Sequence, residues 1–354
     1  MKELLNLLVK HNEKGNVQMV SLLFDKNSIV SINPSNQSKF VVRTNVETTK
    51  PFLVPTKLLK QALNIIDEPL FYFDEERNKL YCKGVNQEIS FQVVPVTDDL
   101  MGQYKHDDIY NLGESIIELN QDLTALNIVR DYVSSNTGDQ LHLIEIAVDK
   151  NDAKLYFRAT DNIALIECSS ELGGEVATFK KDNYRIYILP ETVDLLIKLK
   201  QIEDADVFLF EDGIRMEGSN FEYIELNHYI NFPDFNNVYN NFKVIKEVNS
   251  GVLPLKQLYD ITKKMGTTYF DWLKDEVIVV NDVMEYRQPS LLPPHDCEVV
   301  NVLNKGLHFT NKLNPDIPIT IKLGNDCSMI EYDFELGEDE FKQKFRVIAV
   351  NLKI

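Results

Sequence analysis

Two stretches of this sequence are laid out alike, and a chain that repeats a whole helix-and-hairpin unit must fold as a set of similar domains. The first runs FLVPTKLLKQALNII (52–66), LFYFDEERNKLYCKG (70–84) and EISFQVVP (88–95). The second runs YILPETVDLLIKLKQI (187–202), DVFLFEDGIRMEG (206–218) and FEYIELNHYINFP (221–233). Each reads as a strand end, a helix opened by proline, a hairpin and a further alternating strand. Pro55 and Pro190 suit the first helical turn, where a missing N–H costs nothing. Leu58, Leu59, Ala62, Leu63 and Ile66 recur at helical spacing, as do Val193, Leu196 and Ile197. Asp-Glu-Glu-Arg-Asn and Glu-Asp-Gly supply turns between alternating apolar runs.

A third copy is expected at the C-terminus, with a helix over 299–313, a hairpin over 317–334 and a closing strand over 344–354. Each copy follows another amphipathic segment, at 1–14, 120–133 and 254–266, and then a strand pair such as 17–32 or 141–161. The expected architecture is α+β: three similar domains, each two helices packed on antiparallel sheet. Their boundaries are 1–113, 114–244 and 245–354, with linkers near 97–114 and 236–250. The 354 residues are too many for one ordinary core and suit two or three domains.

Composition narrows the class. No apolar run has the length of a membrane span, and Lys2, Glu3, Asn6 and Lys10 spoil the first helix as a signal sequence. A soluble, cytoplasmic protein with no membrane association is expected. Cys82, Cys168, Cys297 and Cys327 form no CxxC pair and have no histidine at ligand spacing, so buried free thiols are expected rather than a disulfide frame or a metal site. No nucleotide-binding glycine loop, nucleophile elbow, HExxH or EF-hand occurs, so neither cofactor nor metal is expected. Asp161 is the most site-like carboxylate. It reads more simply as a turn residue, and a hydrolase built on Asp161 and Asp234 has nothing further behind it.

The middle copy resembles the β subunit of bacterial DNA polymerase III, the sliding clamp family. The family's Ala-Thr-Asp-Gly-His-Arg-Leu-Ala strand end is matched here by Ala159-Thr160-Asp161-Asn162-Ile163-Ala164-Leu165-Ile166. Its Phe-Pro-Asp-Tyr is matched by Phe232-Pro233-Asp234-Phe235, and its short apolar tail by Val350-Asn351-Leu352-Lys353-Ile354. Two departures stand out: Asn162-Ile163-Ala164 replaces Gly-His-Arg, and Asn351 replaces the tail proline. Both fall where the family binds partner peptides.

The resemblance implies a non-catalytic processivity factor: a homodimeric ring around duplex DNA, in contact with DNA polymerase and clamp loader through short peptide motifs. It implies a peptide groove at Leu141, Thr160, Leu165, Pro233, Val238, Val350, Leu352 and Ile354, and a dimer edge at Ile89 and Phe91. A clamp-like protein-interaction scaffold that does not load on DNA is the alternative, motivated by the altered Asn162-Ile163-Ala164 segment.

Net charge is −18, which by itself argues against a nucleic-acid partner. The resemblance places helices inside the ring and sheets outside, so the distribution of charge matters more than its total. The segments 1–14, 55–66, 120–133, 190–201, 254–266 and 299–312 hold 13 Lys/Arg against 7 Asp/Glu and are net positive, which leaves the rest strongly acidic. The expected DNA-facing residues are Lys2, Lys10, Lys57, Lys60, Arg130, Lys198, Lys200, Lys256, Lys263, Lys264, Lys305 and Lys312. The bland reading of any one of them is a lysine solvating the outer face of an amphipathic helix.

Overall fold

A computed structural model describes residues 1–13, 21–46, 48–97, 110–120, 122–172, 179–244, 246–252, 255–267, 269–273, 275–289, 300–303, 307–308, 312, 318–323, 327–336 and 341–350. The first stretch of chain gives α1 (Lys2–Glu13), β1 (Ser21–Asp25), β2 (Ser28–Asn33), β3 (Ser38–Arg43) and β4 (Phe52–Pro55). It continues with α2 (Thr56–Ile65), β5 (Leu70–Asp74), β6 (Lys79–Lys83), β7 (Glu88–Gln92) and β8 (Val94–Pro95). The second gives β9 (Ser115–Glu118), α3 (Leu123–Val129), β10 (Ile144–Asp149), β11 (Lys154–Thr160), β12 (Ala164–Glu171) and β13 (Asn183–Ile188). There follow α4 (Pro190–Ile202), β14 (Ala205–Phe210), β15 (Gly213–Gly218), β16 (Phe221–Leu226) and α5 (Phe235–Asn241). The third gives β17 (Lys246–Val252), α6 (Leu255–Met265), β18 (Tyr269–Trp272), β19 (Glu276–Val280) and β20 (Glu285–Pro289). It ends with β21 (Val300–Leu303), β22 (Pro318–Leu323), β23 (Cys327–Leu336) and β24 (Phe341–Val350).

The repetition in sequence is a repetition in topology. Three groups of four strands share one order: β4-β1-β2-β3, β13-β10-β11-β12 and β21-β18-β19-β20. Three hairpin-linked triplets, β5-β6-β7, β14-β15-β16 and β22-β23-β24, repeat likewise. The last strand of one group joins the last strand of the following triplet, β3 to β16 and β12 to β24, so that strands of successive repeats share a sheet. Among the described residues β7 and β20 remain sheet edges.

The chain divides into two compact units, Met1–Asn120 with Glu191–His228, and Gln121–Pro190 with Tyr229–Ile354. The first holds a nine-stranded antiparallel sheet and the triplet β5-β6-β7; the second holds an eight-stranded sheet and the four strands around β18. In the first unit α1 buries Leu4, Leu5, Leu8 and Val9, and α2 buries Leu59, Ala62 and Leu63. Such stripes at i, i+3 and i+4 are what an amphipathic helix on a sheet requires. In the second unit β10 to β12 are buried nearly end to end, one face apolar and the other holding Glu145, Arg158 and Glu167 among its buried side chains. Cys82 and Cys168 are free and buried. Beside β5, the Asn45 side chain donates through Nδ2 to the Phe71 carbonyl at 3.1 Å and accepts the Phe71 N–H at 3.4 Å, occupying that stretch of strand edge. No helix among the described residues is long and apolar enough to cross a membrane.

Two expectations are corrected. The stretch 299–312 does not begin as a helix: Val300–Leu303 is β21, with Val302 opposite Phe270 on β18. Val-Asn-Val-Leu alternates apolar and polar with β-branched residues, a strand pattern that prevails here over the helical spacing. The Asn-rich stretch 236–250, read as linker, holds most of α5 and β17. Asp234 caps α5 by accepting the Asn237 N–H, a start signal hidden among asparagines.

Candidate functional site

The cations of the first unit fall into two kinds. Lys10, Lys57 and Lys198 stand exposed on α1, α2 and α4. Lys2 pairs with Asp67 at 2.6 Å and Lys60 with Glu13 at 2.7 Å, while Lys200 bonds Asp204 at 2.8 Å and the Ala205 carbonyl at 2.7 Å. Pairs this exposed are weak and screened by salt, so these cations are held only loosely.

Between α1 and α4 opens a cleft lined by Leu7, Lys10, His11, Asp194 and Lys198 among others. Its floor is polar and hydrogen-bonded around His11 and Glu225. The ring nitrogens of buried His11 lie 2.7 Å from Ser31 Oγ and 2.8 Å from Ser38 Oγ. Buried Glu225 accepts from Tyr223 at 2.7 Å and from Thr192, and lies 3.2 Å from His228 Nε2.

In the second unit Lys263 and Lys264 are exposed near the end of α6, and Lys256 pairs along the same helix with Asp260 at 3.2 Å. Arg130 follows α3 in a 3-10 turn, 3.7 Å from Asp131. Asp131 is the hub of a cluster: Lys312 Nζ lies 2.5 Å and His308 Nε2 3.2 Å from its carboxylate, and His308 Nδ1 lies 2.9 Å from the Tyr259 hydroxyl. Burial pushes the Asp131 carboxyl up, but the bonds from His308 and Lys312 outweigh it and hold the group below the usual carboxylate range. Lys312 is therefore tied to α3 rather than displayed on a helix face beside Lys305, which lies outside the described residues.

Of the residues expected to bind peptide, two share one face of the eight-stranded sheet. Thr160 and Leu165 form a cross-strand pair, and Leu165 lies opposite Ile348 on β24. Leu165 belongs to a buried cluster with Leu143, Tyr187, Phe232 and Phe235. Leu141 and Thr160 are also buried, Pro233 is half-buried, and Val238 is exposed on α5. Of the tail, the Val350 backbone pairs with Cys327, while Leu352 and Ile354 lie outside the described residues. The aromatic floor of Tyr187, Phe232 and Phe235 was not legible in advance, because its members are far apart in sequence.

The β11–β12 turn beside this cluster is rigid. Asp161 Oδ1 accepts the N–H groups of Ile163 and Ala164 at 3.0 and 2.9 Å, and Thr160 Oγ1 donates to the Ala164 carbonyl at 3.0 Å. This is the turn role expected of Asp161. Asn162 takes the left-handed region at φ 72°, which Asn tolerates better than most side chains. Ile163 is presented outward, about half exposed.

Along the same face runs a row of alternating charge. Tyr187, Glu145, Arg158, Glu167, Arg346 and Glu331 are successive cross-strand partners on β13, β10, β11, β12, β24 and β23. Arg158 bonds Glu167 at 2.7 Å and Glu145 at 3.1 Å, and Arg346 bonds Glu167 from the other side. α5 covers the row: Arg158 bonds Asn236 at 3.3 Å, and Arg346 stacks on the Tyr239 ring at 4.3 Å. Sequence reasoning missed this row, although charged residues at alternate positions inside apolar strands were its signal.

Ile89 and Phe91 lie on β7, an edge strand, and both face the Leu80 and Cys82 side of the triplet. No group of three or more metal-ligating side chains occurs among the described residues.

No family model matches this sequence, and a search of curated proteins finds no match. The fold does have counterparts among solved structures. The DNA polymerase III beta chain of Streptococcus pneumoniae aligns over 100% of this chain and 98% of its own, with a TM-score of 0.73 at 12% identity. The Helicobacter pylori beta clamp aligns over 100% and 97%, with a TM-score of 0.75 at 11% identity. The DNA polymerase sliding clamp of Bacillus subtilis aligns over 100% and 97%, with a TM-score of 0.72 at 11% identity. The chain has the fold of these clamps from end to end.

Proposed function

We propose that this protein is a DNA sliding clamp: a non-catalytic, cytoplasmic processivity factor whose two copies close a ring around duplex DNA and tether a polymerase. The observation that carries the reading is the full-length match to clamp structures in a chain whose own topology repeats three times. Three domains bounded near residues 113 and 244 make half of a six-domain ring. Two copies close it when β7 of one pairs with β20 of the other, as β3 pairs with β16 and β12 with β24 within the chain.

The helices supply the DNA side. Lys10, Lys57, Lys198, Lys263 and Lys264 contact phosphates loosely and read no bases, as a ring that slides requires. Lys2, Lys60, Arg130, Lys200, Lys256 and Lys312, already paired with carboxylates, add a softer positive field. The acidic remainder of the surface repels DNA from the outside. The polymerase and a clamp loader dock short apolar peptides between the β11–β12 turn and α5, over Leu165, Pro233 and Val238. Electron microscopy of the chain mixed with a short duplex is expected to show two-copy rings with DNA through the centre. Single copies with DNA on an outer face would overturn the reading.

A further inference from the structure

In the second unit the charge row carries one arginine more than its carboxylates need. Glu145 accepts Arg158 Nη1 and the Tyr187 hydroxyl, each at 3.1 Å. Glu167 accepts Arg158 Nε at 2.7 Å and is bonded by Arg346 as well. Arg185 stands two residues before Tyr187 on the same face of β13. It lies 3.8 Å from Glu145 and hydrogen-bonds the Tyr187 hydroxyl. Its side chain is 52% exposed, against 5% for Arg158 and 28% for Arg346. Among the described side chains of the row, three guanidinium groups thus meet two carboxylates. The surplus is positive, in a chain whose net charge is −18.

This cation borders an apolar surface. The Tyr187 ring lies 5.4 Å from that of Phe232, and Phe232 stacks on Phe235 at 5.6 Å. The cluster they form with Leu143 and Leu165 is flanked by two open aliphatic side chains. Ile163 of the β11–β12 turn is 49% exposed, and Val238 of α5 is 39% exposed.

We propose that this surface selects peptides in which an acidic residue lies beside the apolar anchors, and that Arg185 is the residue that selects it. The inference rests on the peptide-docking reading above and adds the charge of the occupant. An acidic side chain meets the guanidinium in a charge-assisted bond, whereas a lysine in its place is repelled. The acidic chain as a whole draws basic peptides, so a preference against them must be local. Because Arg185 is half in solvent, the preference is modest and sensitive to salt.

Random dodecapeptides displayed on phage, selected against the full chain and against its R185Q and R185E variants, test this. Peptides taken by the native chain are expected to be rich in Asp or Glu next to an apolar pair. Those taken by R185Q lose that enrichment, and those taken by R185E carry Lys or Arg at the same place. A synthetic peptide from the native selection is expected to bind R185Q about fivefold more weakly, with the difference erased in about 1 M salt. Changing its acid to lysine is expected to restore binding to R185E, a rescue that a merely structural role of Arg185 would not give. R185Q sets no second carboxylate beside Glu145, so it keeps the test decisive if R185E does not fold. Two further variants, I163D and V238D, report whether the selected peptides dock on this surface. Peptides that need Ile163 and Val238 but show no acidic enrichment, or the same enrichment for all three chains, overturn the inference and leave the docking site standing. Peptides indifferent to I163D and V238D, or a selection that yields none, overturn the docking site and the inference together.

Discussion

Arg158 donates through Nε to Glu167 at 2.7 Å, with both side chains almost wholly removed from water. Glu145 binds the same guanidinium from the neighbouring strand at 3.1 Å. Charges buried this deeply persist only as a set, because an unpaired buried ion is far costlier than a hydrophobic replacement of the whole group. Arg158→Met therefore removes the guanidinium that Glu145 and Glu167 share, leaving Glu167 with Arg346 and Glu145 with the Tyr187 hydroxyl and Arg185, and a loss of about 3 kcal/mol is expected in urea unfolding. A loss below about 1 kcal/mol would mean that water reaches the row.

Asp131 makes a pH-dependent tie. Its carboxyl is held below the usual range in the folded chain, so the tie is fully present above the unfolded value near 3.8 and disappears as pH falls through the lowered one. Hydrogen exchange in 255–265 is expected to quicken on acidification below that point. Asp131→Asn is expected to lower stability by about 1–2 kcal/mol at neutral pH and to flatten the acid dependence. Unchanged exchange in the variant would show that the helix is held by packing alone.

At position 162 the backbone itself discriminates. Asn162 sits at φ 72°, so glycine is expected to be tolerated there and valine to cost about 1–2 kcal/mol in denaturant unfolding. Equal stability of the two variants would contradict the turn geometry.

In the proposed ring the exposed lysines set the salt dependence of DNA binding. Replacing Lys10, Lys198 and Lys263 singly by glutamine is expected to lower the slope of log affinity against log salt by roughly 0.9 for each phosphate left without its lysine. The same change at Lys200, which already bonds Asp204 and the Ala205 carbonyl, is expected to move the slope less. Identical slopes for all four variants would place the lysines away from DNA.

These contrasts also mark what the sequence disclosed. Pro55 and Pro190 announced α2 and α4 because proline at a helix start is a local signal, and the hairpins after them carried their own turn residues. β21 was mistaken for helix because a short apolar run has no decisive period. Lys200–Asp204 and Lys256–Asp260 are four residues apart and open to local reading, whereas Lys2–Asp67 and Lys312–Asp131 join residues remote in the chain. The Thr160–Leu165 turn was legible residue by residue. The aromatic floor under it was assembled by the sheet and by α5, and no local pattern encodes that.

In the proposed ring Asn45 limits how two copies of this chain can meet. A strand approaching β5 finds the Phe71 N–H and carbonyl already taken by a side-chain amide. The triplet is thus closed to newcomers along that stretch, and β7 is left as its open edge. In the proposed ring a flank blocked in this way gives pairing between copies a single direction, so that it can close on itself where two like edges would run on into fibres.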